Sequence, residues 1–172
     1  MKVIIEYLDH KNPERLKFKS PPGVSEDMVR LISEKKGEPD WMLQKRLKGL
    51  DLWNKLLMPS WGPDISALDI SQITFYAEPD AKKNAQNWED VPEDIKRTFE
   101  KLGIPEAERK ALAGAGAQYE SSVVYHSLKK ELHDRGVVFL DMDEGLKQFP
   151  ELVKEHFMTT CVPIGLHKFA AL

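Results

Sequence analysis

Residues 92–132 read PEDIKRTFEKLGIPEAERKALAGAGAQYESSVVYHSLKKEL, and this stretch decides the predicted fold. Ile95, Phe99 and Leu102 recur at the spacing of one helix face, after a proline at the first turn and before a glycine. A second helix is predicted from Pro105, because glutamates follow it early, where carboxylates favour the positive end of the helix dipole.

The rest of the same stretch predicts a turn and then a third helix. Gly114 and Gly116 make helix continuation costly, so a turn is expected before Ser121 or Ser122 caps the next helix. The buried side of that helix is predicted to carry three residues: Val124, Leu128 and Leu132.

Shorter elements are predicted beyond this stretch. Gly136 supplies a helix stop, and residues 137–140 form a short apolar strand candidate. Asp141 or Asp143 then caps another helix, which Pro150 interrupts.

The N-terminal part predicts a hairpin followed by a capped helix. Residues 1–8, MKVIIEYL, are β-branched enough for a strand, and residues 15–19, RLKFK, are its predicted partner. Ser25 caps a helix that Gly37 closes. The inward residues of this helix are predicted to be Met28, Leu31 and Ile32.

A longer helix is predicted after Pro39 and ends before the prolines of residues 59–63. Its apolar stripe is predicted to consist of Leu43, Leu47, Leu50, Trp53 and Leu57. Residues 73–76 predict a strand, and the polar residues 78–90 predict a linker in which Trp88 docks on some neighbouring surface.

These elements together predict an α+β fold that is mainly helical with a few short strands. The predicted segments are an N-terminal arm or hairpin (1–22), a helical segment with a tryptophan and proline element (23–77), a linker (78–90) and a helical region (91–172).

Composition excludes several functional classes. A formal net charge of −3, with 31% charged residues, provides no basic field for nucleic acid or anionic lipid. No stretch approaches the roughly twenty apolar residues of a membrane span, so a cytoplasmic protein is expected. The single cysteine, Cys161, excludes an internal disulfide framework.

The amino-acid sequence of the longer segments identifies a family more specifically than the spacing of apolar residues does. Residues 101–157, KLGIPEAERKALAGAGAQYESSVVYHSLKKELHDRGVVFLDMDEGLKQFPELVKEHF, closely resemble the segment ahead of the β-helix in SufB, the scaffold subunit of the SUF iron–sulfur cluster assembly machinery. The resemblance includes GVSEDMVRLISEKKGEPDWMLQKRLKGLDLW (23–53), MPSWGPDIS (58–66) and HKFAAL (167–172), the last being similar to the approach to the first β-helix strand.

The resemblance implies a part of a scaffold rather than an enzyme. In the full-length family an iron–sulfur cluster is assembled, and the implied partners are a SufC-like ATPase and SufD or a second SufB. The cluster ligands and the main SufC surface are implied in the β-helix and C-terminal parts, which this sequence lacks. The chain is therefore expected to be an N-terminal fragment that contributes architecture and carries no cofactor of its own. The alternative is an independent protein–protein interaction module that docks through the helical face around residues 43–57.

Candidate side chains for chemistry favour ordinary structural roles. His126 and His133 would lie about 10.5 Å apart along one helix axis, too far to share one metal ion without a third element. Tyr125, flanked by valines, favours packing over acid–base chemistry.

The acidic run DMDEG and the glycine pair are candidate ligand sites. Asp141, Asp143 and Glu144 offer oxygen ligands for magnesium or calcium, but the run lacks a calcium-binding loop, and aspartate at a helix start is a routine cap. Gly114 and Gly116 lack the third glycine and the lysine of a phosphate loop.

Cys161 has the best claim to iron or sulfur chemistry, if a partner supplied further ligands. Packing as a small apolar residue between the helical region and a β-helix is favoured. Gly165 and Leu166 stand where the SufB family usually carries an Asn and Asp pair. The sequence therefore predicts no catalytic, cofactor-binding or metal-binding residue.

Overall fold

The computed structural model describes residues 14–101 and 112–171. Within these ranges the chain forms six α-helices and four short strands. The strands form two antiparallel two-stranded sheets. The predicted α+β class with a mainly helical composition is confirmed.

The chain divides into two compact units, each built from two separate stretches. Unit 1 comprises Met1–Lys19 and Ala77–Phe139, and unit 2 comprises Ser20–Tyr76 and Leu140–Leu172, each as far as the structure describes it. The predicted segment boundaries at 22, 77 and 90 stay a prediction.

The first two helices of unit 2 begin and end where local sequence signals place them. Helix α1 (Glu26–Lys36) is capped by Ser25, whose hydroxyl accepts a hydrogen bond from the Met28 amide at 3.2 Å. Gly37 ends it in the left-handed conformation, with φ of +63°, which glycine adopts without steric cost. Both predicted caps are confirmed. Met28 is buried, whereas Leu31 and Ile32 are only half-buried.

Helix α2 (Asp40–Lys55) follows Pro39 as predicted, but its buried face is rotated from the predicted stripe. Its most buried residues are Met42, Gly49 and Trp53. Leu57 is exposed because the helix ends at Lys55, so the helical spacing no longer places its side chain on the inner face.

Two shorter helices complete unit 2. Helix α5 (Met142–Gln148) is capped by Asp141, whose carboxylate accepts from the Glu144 amide at 3.0 Å, and this predicted cap is confirmed. Pro150 does not merely interrupt that helix. It begins helix α6 (Pro150–His156). The first residue of a helix donates no intrahelical hydrogen bond, so the absence of an amide hydrogen in proline costs nothing there.

The first strand pair belongs to unit 1. Strand β1 (Leu16–Lys19) lies within the predicted strand RLKFK, while its predicted partner, residues 1–8, lies outside the described residues. The observed partner is strand β2 (Ala77–Pro79), which runs antiparallel to it. The strand predicted at residues 73–76 is wrong, since strand pairing starts only at Ala77.

Helix α3 (Glu93–Lys101) confirms the helix predicted after Pro92, with Ile95 buried and Phe99 packed against the same core. Leu102 and the helix predicted from Pro105 lie outside the described residues.

The predicted third helix is wrong, because its residues form a β-hairpin. Strand β3 (Gly114–Tyr119) pairs antiparallel with strand β4 (Ser122–Leu128). The serine, valine, tyrosine and histidine residues of β4 suit a pleated surface, and Ser122 and Val124 are buried with the period of two expected for a strand. Only Leu132 lies on a helix, the short α4 (Lys130–Asp134).

The polar stretch 78–90, predicted to be a linker, contributes to the core of unit 1. Ala85 is completely buried with Val91, Ile95, Ala117 and Val124. The Ala85 amide donates to the Val124 carbonyl, and the His126 amide donates to the Ala85 carbonyl, so this stretch covers the free edge of β4. Trp88 docks on this core, as predicted.

The end of unit 1 also differs from the expectation. Gly136 follows α4 with φ of +81°, which confirms the predicted stop. Residues 137–140 form no strand, and the side chains of Val137, Val138 and Phe139 are exposed. An apolar run without a neighbouring strand edge gains no ladder hydrogen bonds, so apolar composition alone did not produce a strand.

The turn of the β-hairpin generates a test of its backbone. Glu120 has φ of +52°, a conformation that costs a side-chain-bearing residue free energy and glycine very little. We expect Glu120→Gly to raise the free energy of unfolding by about 1 kcal/mol, measured by urea denaturation. Glu120→Ala is the matched control and should bring no such gain. Equal midpoints for the two variants would contradict the assigned turn.

Candidate interaction surface

Unit 2 contains a groove of about 980 Å³ beside the C-terminal end of α2. Its walls come from the loop before α1, from the tryptophan and proline element after α2, and from Trp53 and Lys168. We call it the Trp53 groove.

The wall after α2 is shaped by local turns. Asp64 accepts a hydrogen bond from the Ser66 amide at 2.9 Å, and Asp69 accepts from the Ser71 amide at 3.0 Å. Such aspartate-to-backbone bonds replace secondary structure in turns. The bond from the Ser66 amide lowers the pKa of Asp64 below its ordinary value.

Trp53 forms the floor of the groove and is only 7% exposed. Its indole ring meets Phe75 and Phe169 edge to face, at centroid distances of 6.2 and 5.9 Å. Edge-to-face contact is a favourable arrangement for aromatic quadrupoles. The last described segment of the chain is thereby packed onto α2.

Lys168 fastens that segment to the end of α2. Its ammonium donates to the carbonyls of Trp53 and Leu56, the latter at 3.1 Å, and lies 4.5 Å from the Trp53 ring centroid. Helix C-terminal carbonyls lack helical partners and carry partial negative charge, so a lysine ammonium is a suitable cap. The same cation also binds the indole face.

Gly49 permits the close approach of the two segments. A Cβ atom at this position would lie only 2.5 Å from the Ala171 carbonyl oxygen. Glycine is unfavourable in the interior of a helix, but at this position it permits contact with the C-terminal segment.

Two ion pairs link further segments of unit 2. Arg46 donates two hydrogen bonds to the carboxylate of Glu38, whose side chain is 2% exposed, at 2.6 and 2.7 Å. These bonds raise the pKa of Arg46 above its ordinary value. Lys36 pairs with Asp143 at 2.6 Å, which joins the end of α1 to the first turn of α5.

The three carboxylates of DMDEG all have structural partners. Asp141 caps α5, Asp143 pairs with Lys36, and Glu144 accepts a hydrogen bond from Lys147 at 2.8 Å. That bond lowers the pKa of Glu144. Among the described residues, no group of three potential metal-binding side chains converges.

The two histidines do not share a helix, which corrects the sequence-based geometry. His126 lies on β4, and its ring centroid is 4.7 Å from that of Phe139. His133 lies on α4. Tyr125, also on β4, packs against Trp88, and its hydroxyl donates to Ser127 at 3.0 Å. The packing role predicted for Tyr125 is confirmed, although on a strand.

Cys161 is an exposed free thiol within this chain, and its packing between the helical region and a β-helix stays a prediction. Leu166 is exposed, and Gly165 lies close to Leu52 of α2. HKFAAL, predicted to approach a strand, contains the 3₁₀ turn Lys168–Ala170. No helix in the described part of the chain has the length and apolar character needed to cross a bilayer.

No sequence pattern indicated the role of Lys168. The lysine and Trp53 are 115 residues apart, and no local pattern links them. Pro59 and Pro63, the residues predicted to end the helix, line the wall of the groove.

Proteins named iron–sulfur cluster assembly SufBD family protein are similar to this chain. Those of Staphylococcus saprophyticus, Staphylococcus haemolyticus and Staphylococcus aureus are each 52% identical over 155 residues, which cover 90% of this chain and 33% of the relative. The chain thus spans about a third of the length of these relatives. No family model matches it, and no solved structure shows a significant match. The similarity supports the SufBD family without separating SufB from its other members.

The cap on α2 generates a test of the groove. Lys168→Met keeps an apolar stem but removes the ammonium, leaving two helix-end carbonyls without their donor. We expect a loss of about 1.5–3 kcal/mol in the free energy of unfolding, the usual range for hydrogen bonds to charged groups, measured by urea denaturation. Lys154→Met, on the exposed side of α6, is the matched control. Equal stability of the two variants would contradict the capping role.

Proposed function

We propose that this chain forms the N-terminal helical part of a SufB-like scaffold for iron–sulfur cluster assembly. The observation that carries the proposal is the 52% identity, over 90% of the chain, to proteins named iron–sulfur cluster assembly SufBD family protein. The choice of SufB within the family rests on the amino-acid sequence of residues 101–157, which resembles the segment ahead of the SufB β-helix.

The proposed contribution is architecture rather than catalysis or cluster ligation. Iron–sulfur clusters are typically held by several cysteine thiolates, and this chain has one cysteine. The carboxylates of DMDEG are engaged in a helix cap and in ion pairs. We therefore propose a non-enzymatic, cytoplasmic role in which the cluster, the SufC-like ATPase and SufD or a second SufB meet other parts of the complete scaffold.

A chimera tests this proposal. The chain would replace the matched segment of the Staphylococcus aureus relative, and the product would be expressed in strains lacking either SufB or SufD. We expect growth that depends on iron–sulfur enzymes to recover in the strain lacking SufB, since the segment would supply an equivalent architecture. Cys161→Ser in the same chimera should leave growth unchanged, because this thiol is not proposed as a ligand.

Controls separate the outcomes. The unaltered relative establishes which strain it rescues, and immunoblotting establishes that the chimera accumulates. A stable chimera that rescues neither strain would contradict the family role. Rescue only of the strain lacking SufD would contradict the choice of SufB, and loss of rescue with Cys161→Ser would contradict the architectural role.

The second candidate is an independent protein–protein interaction module. The Trp53 groove and the exposed Leu57 beside it favour this alternative, although Trp53 itself is buried and the remaining leucines of the predicted α2 stripe are half-buried. A module with a large apolar docking face is expected to self-associate as its concentration rises. Size-exclusion chromatography with light scattering measures this, and a monomer at all concentrations would argue against the module.

A further inference from the structure

The Trp53 groove carries a negative charge. Among the described residues, three ionisable side chains line it: Asp64, Asp69 and Lys168. The ammonium of Lys168 already donates to the carbonyls of Trp53 and Leu56 at the end of α2. The two carboxylates are exposed. The charged groups that remain available to a ligand in this groove are therefore both acidic.

Neutral donors hold both carboxylates in place. Asp64 accepts from the Ser66 amide, and Asp69 accepts from the amide and the hydroxyl of Ser71. In each carboxylate these bonds reach Oδ1. The turns thus fix the positions of the two carboxylates without neutralising their charge.

Apolar side chains form the floor and part of the wall of the same groove. Trp53 forms the floor, and Met58 and Leu68 line the groove with exposed fractions of 38% and 50%. Methionine adapts to contact surfaces of different shapes, because its side chain is unbranched and polarizable. Burial of these side chains against an apolar group is the main source of binding free energy that the groove offers.

We propose that the Trp53 groove binds a segment of a partner protein in which arginine or lysine stands next to an apolar side chain. An exposed ion pair contributes little free energy, so a cation without an apolar neighbour would bind weakly. An apolar segment without a cation would leave both carboxylates beside an uncharged surface. A guanidinium or ammonium group instead forms charge-assisted hydrogen bonds with them.

This binding activity goes beyond the architectural role proposed above. It belongs to unit 2, and the chain without any fusion is sufficient to measure it. Its test is therefore independent of growth rescue by the chimera.

Selection from a random peptide library displayed on phage tests the proposal, with the chain immobilised as bait. We expect the bound peptides to be enriched in arginine or lysine next to an aliphatic or aromatic residue. The most enriched peptide is then synthesised with a fluorescent label, and its Kd for the chain is measured by anisotropy. In NMR spectra of the isotope-labelled chain, this peptide should shift the amide signals of Ser66 and Ser71, which locates it in the groove.

Variants without charge measure the contribution of the carboxylates. Asp64→Asn combined with Asp69→Asn keeps an oxygen that accepts from each serine and removes both charges. This variant should raise the Kd roughly fivefold, as the loss of two exposed ion pairs would. Glu151→Gln combined with Glu155→Gln changes the net charge equally at exposed positions of α6 outside the groove, and should leave the Kd unchanged. If the double variant does not fold, each single asparagine variant gives the same comparison.

A leucine substitution measures the apolar contact separately. Leu68→Ser should raise the Kd severalfold, because the peptide would lose an apolar surface in the groove. Leu152→Ser, at a residue of α6 with a comparable exposed fraction of 53%, is the control and should leave the Kd unchanged.

A selection without enrichment of paired basic and apolar residues would overturn the proposal. Equal Kd values for the asparagine variant and its glutamine control would also overturn it, as would amide shifts confined to residues outside the groove. A dimer in light scattering that dissociates in the asparagine variant would assign the groove to a second copy and reject the partner segment. Each of these results leaves the proposed function to be decided by growth rescue.

Discussion

The ammonium of Lys168 is the interaction on which the architecture of unit 2 depends. It satisfies two carbonyls at the end of α2 and binds the face of Trp53 from a position far along the chain. With it come Phe169, which packs on Trp53, and Ala171, which lies against Gly49. A helix end that would otherwise face water becomes the site where the C-terminal segment is anchored.

Unit 1 is stabilised differently, by a polar segment that supplies main-chain hydrogen bonds to a hairpin. Ala85 donates to and accepts from β4, and its methyl group is completely buried in the core. At the turn, the Ser121 amide donates to the Ala77 carbonyl, and the Ser121 hydroxyl accepts from the Ala77 amide. Small residues are needed where backbones approach, which explains how a stretch rich in polar residues contributes to a core.

Sequence reasoning succeeded where the determining interaction is local. Ser25, Gly37 and Asp141 act within three or four residues of their helix ends, so their identity and position were sufficient. It failed for β4, where Val124, Leu128 and Leu132 fit a helical period, although the alternation of Ser122 and Val124 fits a strand. The partners that settle the choice are Ala85 and β3, and their pairing is not visible in the pattern of one segment. The Trp53 groove needed a contact across 115 residues and was unpredictable for the same reason.

The carboxylates of unit 2 that first suggested chemistry are engaged in a helix cap and in ion pairs, whereas the exposed side chains of this unit include aromatic and aliphatic groups. Lys36 and Asp143 pair across two helices, and the guanidinium of Arg46 is bound by a carboxylate with almost no exposure. The Glu38 carboxylate is 2% exposed, so loss of Arg46 would leave a buried charge without its partner. Trp61 and Leu57 lie beyond the end of α2 and are exposed. Charged groups thus fix the fold of unit 2, while apolar side chains such as Leu57 remain exposed.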